Sequence, residues 1–300
     1  MIIYVLVIFV ALIIGANNAS NAIATLYGSR MMKYSHASLL CAFFVFVGAV
    51  AEGGKIAASL NKGFVMGEIP IQAQLGILAI TGIMMLIITI FRFPISATQV
   101  LVGSLLGGAF ALNLDVNSSF TSLAISAWFI SMVAGILFAY LIYKLIEKIA
   151  RKYRNIMFLS KFYFWGTVAS SIFAAYALGA SIIGMVGGFS DIWFLAPLSA
   201  FFGVFLFGKR TSRRIGREMT VLDPPRALSA QFAGAIVTEI FIQLHIPVSI
   251  TQVVTGGVIG TSIVKGRFEI SKKVARNLII SWALAPIVSF VFTYLLLIFF

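Results

Sequence analysis

Apolar runs alternate with short polar stretches along the whole chain. Ten such runs cover roughly 2–26, 36–54, 72–91, 94–112, 121–143, 162–182, 190–207, 226–244, 247–264 and 277–299. A helix that crosses a bilayer needs about 20 apolar residues, so each run is read as a membrane helix. The runs at 94–112 and 247–264 are short, and re-entrant segments are the open alternative for them. Three of the runs are interrupted by polar residues. Residues 92–108 read RFPISATQVLVGSLLGG and residues 245–261 read HIPVSITQVVTGGVIGT. Pro94, Ser96, Thr98, Gln99, Gly103 and Gly107 recur 153 positions later as Pro247, Ser249, Thr251, Gln252, Gly256 and Gly260. The first run contains GANNASNAIAT, which puts Asn17, Asn18, Ser20, Asn21 and Thr25 inside an apolar segment.

Composition identifies the solvent. Hydrophobic residues make up 61% of the 300 and charged residues only 10%, against about 25% charged in soluble domains. Lipid must therefore solvate most of the chain. The net charge of +13 has a membrane explanation, because basic residues collect in cytoplasmic loops. Of the 22 Lys and Arg, only Lys55 and Lys62 fall in the even-numbered loops. The odd loops are thus expected in the cytoplasm and both termini outside, in a multi-pass protein of the cell membrane. No nucleic-acid motif accompanies the basic loops, so no nucleic-acid partner is expected. The first run lacks a basic flank and a small-residue cleavage site, and is expected to be retained as the first span. Cys41 is alone and says nothing about redox compartment.

The recurrence divides the chain into a first half, 1–143, a basic cytoplasmic linker, 144–161, and a second half, 162–300. Five runs in each half make the second enter from the opposite side. The expected architecture is an all-α polytopic membrane protein of two inverted repeats with broken or re-entrant half-helices, the pattern of many secondary transporters.

The polar interruptions carry the candidate chemistry. Proline lacks an N–H and suits a first helical turn. A helix starting near Pro94 leaves free N–H groups over Ile95 to Thr98, at the positive end of the helix dipole, and Ser96 and Thr98 add hydroxyls. Such an end holds an anion. The copy at Pro247, Ser249 and Thr251 supplies a second end. The alternative is that each proline kinks its helix and the hydroxyls repair the backbone. Three asparagines facing lipid are costly, so the first run is expected to unwind into a bend lining a cavity, with Asn17 or Asn18 capping the half-helix beyond it. Its counterpart keeps only Gly179, Ala180 and Ser181. Candidate substrate ligands are Asn17, Asn18, Ser20, Asn21, Ser96, Thr98, Ser181, Ser249 and Thr251. Candidate supporting or coupling residues are Thr25, Gln99, Gln252, Gln74, Gln231, Glu52 and Glu239. The last two are the acids within apolar runs, where a carboxylate is a functional candidate; helix-end residues reaching the interface are the alternative.

The segments Gly15-Ala16-Asn17-Asn18-Ala19-Ser20-Asn21, Pro94-Ile95-Ser96-Ala97-Thr98-Gln99 and Pro247-Val248-Ser249-Ile250-Thr251-Gln252 resemble the G-A-N-D-x-A-N and P-x-S-T-T-H motifs of the inorganic phosphate transporter family. The resemblance spans nearly the whole chain. It implies secondary transport of a tetrahedral oxyanion by a homodimer, with no enzymatic activity and no cofactor or metal. The departures narrow the expectation. The family aspartate is Asn18, its histidine is Gln99 and Gln252, and a frequent glutamate is Gln231, with Gln74 as its counterpart. Carboxylates only accept hydrogen bonds, whereas Asn and Gln also donate. A donor-rich pocket suits sulfate, which has no proton to give, better than phosphate. Sulfate is therefore favoured, in keeping with a sulfate permease branch of the family that also has a G-A-S segment. The lost carboxylates weaken Na⁺ coupling and leave H⁺ as the favoured coupling ion. A Na⁺- or H⁺-coupled phosphate transporter and an anion channel are the alternatives. A lipid-phosphate enzyme is disfavoured because nine acids and two histidines form no cluster.

Overall fold

The computed structural model describes residues 1–28, 31–91, 95–153, 155–209, 212, 223–264 and 272–299, apart from the side chains of 19–21, 24, 28, 91 and 272–275. Each of the ten apolar runs is helical. In chain order the helices are α1 (Ile2–Gly28), α2 (Tyr34–Ser59), α3 (Ile71–Phe91), α4 (Ala97–Ala111), α5 (Ser118–Lys152) and α6 (Ile156–Leu178). The short α7 (Gly184–Gly187) follows, then α8 (Leu195–Phe202), α9 (Pro224–Gln243), α10 (Ile250–Val264) and α11 (Lys272–Phe299). Wider π turns extend α2 over Leu60–Phe64, join α6 to α7 over Gly179–Ile183 and extend α8 over Gly203–Phe207. Among the described residues, five stretches are long and apolar enough to cross a bilayer: Tyr34–Phe64, Ile71–Ile90, Ser118–Lys152, Ile156–Gly187 and Arg276–Phe299. At 15 residues each, α4 and α10 rise only about 22 Å, less than the roughly 30 Å of hydrocarbon.

Local sequence sets where the helices begin. Asn117 accepts from the Phe120 N–H at 3.0 Å to start α5, and Asn155 accepts from Met157 and Phe158 to start α6. Asp223 accepts from the Arg226 N–H at 3.1 Å, and Pro224 and Pro225 fill the first turn of α9, where a missing N–H costs nothing. The helix expected to begin near Pro94 begins instead at Ala97. Ser96 stays extended (φ −88°, ψ 120°) and its Oγ accepts from the Gln99 N–H at 3.3 Å. Ser249 caps α10 in the same way, accepting from Gln252 at 3.3 Å. The cap takes the first turn away from the proline. Pro94 itself and Arg92 lie outside the described residues.

Close packing through glycine ties the bundle together. A Cβ added at Gly103 would stand 2.3 Å from the Pro286 carbonyl oxygen, and one at Gly107 2.3 Å from that of Phe290, so α4 lies backbone to backbone on α11. Gly256 and Gly260 hold the same relation to the carbonyls of Met132 and Ile136, at 2.3 and 2.2 Å, which seats α10 on α5. Gly48 and Gly179 bring α2 equally close to the far end of α6. Small residues serve this purpose in membranes, where the lipid is as apolar as the helices and contact must come from fit. Ile14, Leu26, Ile56, Leu78, Leu101 and Leu178 are fully buried inside, while Phe129, Leu137, Ile279 and Ile287 are exposed on the outer faces of α5 and α11.

Gly256→Leu is expected to overpack the α10–α5 contact and cost about 1–3 kcal/mol, read as a lower melting temperature in detergent. Gly54→Ala, where an added Cβ meets nothing within 4 Å, is expected to leave the melting temperature unchanged or raise it slightly.

Candidate functional site

The two proline-motif helices meet at their starts. Thr98 Oγ1 donates to the carbonyl oxygen of Val248 at 3.3 Å, and Trp128 Nε1, on α5, donates to the carbonyl of Pro247 at 3.1 Å. Ser96, Thr98, Gln99, Ser249 and Gln252 are all buried. The first backbone N–H groups of a helix have no intrahelical partner, so Ala97 and Thr98 in α4, and Ile250 in α10, present amides at adjacent positive ends. Each cap serine accepts from a backbone N–H and still has its own hydroxyl proton to donate. Residues 95–108 and 247–261 carry no carboxylate. Chemically, the arrangement is a cluster of donors and partial positive charge within an apolar bundle, suited to an anion.

The first run corrects an expectation. α1 does not unwind at the asparagines; it runs unbroken from Ile2 to Gly28. Asn17 is matched by another helix instead, and the backbone keeps its own ladder. Asn17 Nδ2 donates to Thr89 Oγ1 on α3 at 2.7 Å, and Thr89 donates in turn to the Met85 carbonyl at 2.7 Å. With no break, neither Asn17 nor Asn18 is a cap. Asn18 is buried, 5% exposed. The side chains of Ser20 and Asn21 lie outside the described residues.

One turn further on, α1 enters a polar knot. Thr25 Oγ1 donates to Gln231 Oε1 at 2.5 Å and lies 3.2 Å from Ser171 Oγ. Gln231 Nε2 donates to the Ala22 carbonyl at 3.0 Å and to Ser171 Oγ at 3.2 Å. Both faces of a fully buried amide are thus used to join α1, α6 and α9. Thr25 and Gln231, picked out separately from the sequence, are direct partners. Thr89 and Ser171 were missed, although a lone Thr in IITIF and a Ser pair in VASSIF are the kind of small polar insertion that marks a helix–helix bond.

Other candidates fall elsewhere. Gln74 Nε2 donates to the Ile69 carbonyl at 2.7 Å, a local tie at the start of α3 and not a partner of Gln231. Ser181 lies in the π turn packed on α2, and its hydroxyl donates to the Leu178 carbonyl at 3.2 Å. Glu52 and Glu239 come together at a half-exposed end of the bundle. Gln243 Nε2 reaches both oxygens of Glu52 at 3.1 Å and Glu239 Oε1 at 2.5 Å. Lys55 Nζ donates to Glu52 at 3.1 Å and to Gln243 at 2.6 Å. Gln243 was not singled out from the sequence, though it stands one turn after Glu239. The group ties α2 to α9 and is separate from the two helix starts.

An all-α bundle of apolar helices, with donor-rich helix starts meeting inside it, is the architecture of a polytopic membrane transporter. The chain belongs to the phosphate transporter family, whose model matches residues 14–196 and 166–293. This is a family of transporters and not of enzymes. The chain is 29% identical over 296 residues, 96% of its length and 93% of the relative's, to "Putative phosphate permease MJ0630" of Methanocaldococcus jannaschii. It is 25% identical over 301 residues, 96% of its length and 84% of the relative's, to "Sulfate permease CysP" of Bacillus subtilis. A solved structure, "The sodium-dependent phosphate transporter", has the same fold, with a TM-score of 0.86 over 99% of this chain and 97% of that one, at 20% identity.

Gln231→Leu is expected to remove the amide that Thr25 and Ser171 both bond and cost about 1–3 kcal/mol, lowering the melting temperature. The triple replacement with Thr25→Val and Ser171→Ala removes the two hydroxyls that bonded the amide and is expected to recover part of that loss, so the three effects are less than additive.

Proposed function

We propose that this chain is a secondary active transporter of a tetrahedral inorganic oxyanion, with sulfate favoured over phosphate. Residues 1–143 and 162–300 act as two inverted halves joined by the basic linker 144–161. The observation that carries this reading is the junction of α4 and α10 through Thr98 and Val248: two positive helix ends meet with no carboxylate on either motif. The amides of Ala97, Thr98 and Ile250 and the hydroxyls of Ser96 and Ser249 then bind a doubly charged guest, and the hydroxyls of Thr98 and Thr251 join them as the guest displaces the Thr98–Val248 bond. Asn17, Asn18, Ser20, Asn21 and Ser181 complete the donor set. The 2.5 Å and 3.1 Å ties of Gln243 to Glu239 and Glu52 make that pair the proposed proton carrier, while Thr25, Gln74, Gln99, Gln231 and Gln252 brace the helices. We further propose that the transporter is a homodimer in the cell membrane with both termini outside.

A second reading, Na⁺-coupled phosphate transport, is favoured by the names of the solved transporter that shares the fold and of the archaeal relative. Uptake of labelled sulfate and phosphate into proteoliposomes separates the two. The expected result is sulfate uptake driven by an inward proton gradient and indifferent to Na⁺, with Ser96→Ala and Ser249→Ala each weakening substrate affinity about tenfold, the worth of one hydrogen bond to a charged group. Glu239→Gln is expected to remove the proton drive while sulfate exchange at equal pH continues. Phosphate uptake that ignores excess sulfate and requires Na⁺ establishes the second reading instead. Asn18→Asp probes the same choice: it is expected to weaken sulfate uptake and leave phosphate uptake equal or stronger.

A further inference from the structure

A crevice of about 680 Å³ opens between α5 and α11, with α4 and α10 as its floor. Its lining comes in matched positions from the two parts of the chain: Gln99 with Gln252, Val102 with Thr255, and Trp128 with Trp282. The mouth faces hydrocarbon, for Phe129 is 64% and Ile279 65% exposed among the apolar residues that ring it. The walls are apolar, but polar atoms in the lining are left over. Gln99 is 2% exposed and Gln252 3%, and Oε1 of each is buried without a partner. Turning either amide over exchanges acceptor for donor and leaves the same need. Trp282 Nε1 is also unpartnered, although Trp128, its counterpart, donates to the Pro247 carbonyl at 3.1 Å.

We infer that this crevice binds a single-chain membrane amphiphile, with its tail along the apolar walls and its hydrogen-bonding head at Gln99, Gln252 and Trp282. A crevice of this size open to lipid fills, because an empty one forfeits the contacts of its walls. Water has too few partners on apolar walls to fill it. A bare alkyl chain would pack the walls but leave two amides and an indole N–H orphaned, each at the cost of an unmade buried hydrogen bond. A carboxylic acid or alcohol donates its one O–H to one glutamine Oε1 and accepts from the Trp282 N–H, and, with the other glutamine amide turned over, accepts from that amide as well, which satisfies all three. α4 and α10 carry the crevice floor on the same first turns that cap the candidate anion site, yet the apolar walls exclude the anion itself, so the two sites are distinct.

The test uses the full chain in lipid nanodiscs, hexadecanoic acid with a photoreactive diazirine in its tail, and mapping of the labelled peptides by mass spectrometry. Label is expected to concentrate on the crevice walls of α5 and α11 and to be displaced by unlabelled hexadecanoic acid. Ala283→Trp, which fills the mouth, is expected to abolish most of it; Met132→Trp fills it from the opposite wall if the first variant misfolds. Gln99→Leu with Gln252→Leu is expected to reduce acid labelling about fivefold, the worth of one net hydrogen bond, while leaving labelling by a diazirine alkane unchanged. Label spread evenly over exposed positions away from the crevice, such as Leu141 and Leu295, overturns the inference. So does disulfide pairing of Ala283→Cys between two protomers, which assigns the crevice to a second copy of the chain.

Discussion

The candidate anion site depends on two backbone contacts, α4 against α11 and α10 against α5. Four glycines place each of the short helices directly on a neighbour's carbonyl oxygens, closer than any side chain permits. That contact fixes the axis of α4 and α10 and therefore the point at which their starts converge. The helices are too short to be anchored at both membrane surfaces, so their position is set sideways, by packing, and not by burial from end to end. Without the glycines, the bond from Thr98 to Val248 has no reason to exist.

Lipid imposes the complementary demand. Hydrocarbon offers no hydrogen bonds, so a polar group on a membrane helix must find a partner in the protein. The bundle answers in two ways. Serines at helix starts turn back on their own backbone, as Ser96 and Ser249 do, and amides within spans reach across to another helix, as Asn17 and Gln231 do. The first pattern is local and the second joins residues 72 to 209 positions apart. The few buried groups left out of both, Gln99 and Gln252 among them, therefore stand out.

That division also explains how much was legible in the sequence. Among the described residues the apolar runs located every helix but the short α7, because length and hydropathy are decided segment by segment. The glycine contacts were legible because glycine acts through the backbone nearest to it and recurred at a fixed offset, whereas the serine caps were not, since the proline beside each serine was read as the helix start. The path of α1 was misread. Counting three asparagines as a cost assumed that no partner was at hand, and nothing in a single sequence says that Thr89 stands opposite Asn17. The knot at Gln231 was half visible: its two ends were marked, but Ser171 looked like an ordinary small residue of an apolar span. The tie between Glu52 and Glu239 was hidden similarly, since the amide that joins them belongs to neither motif.

The length of α5 has a mechanical consequence. Its 35 residues form a rod of about 52 Å, some 20 Å longer than the hydrocarbon it crosses, and α6 starts only four positions after it ends. The earlier part of the chain thus ends in a long stiff rod, and the later part begins within a few positions of its tip. A tilt of about 5° about the point where Trp128 holds Pro247 would move that tip by about 3 Å, so a displacement inside the bundle would reach the foot of α6.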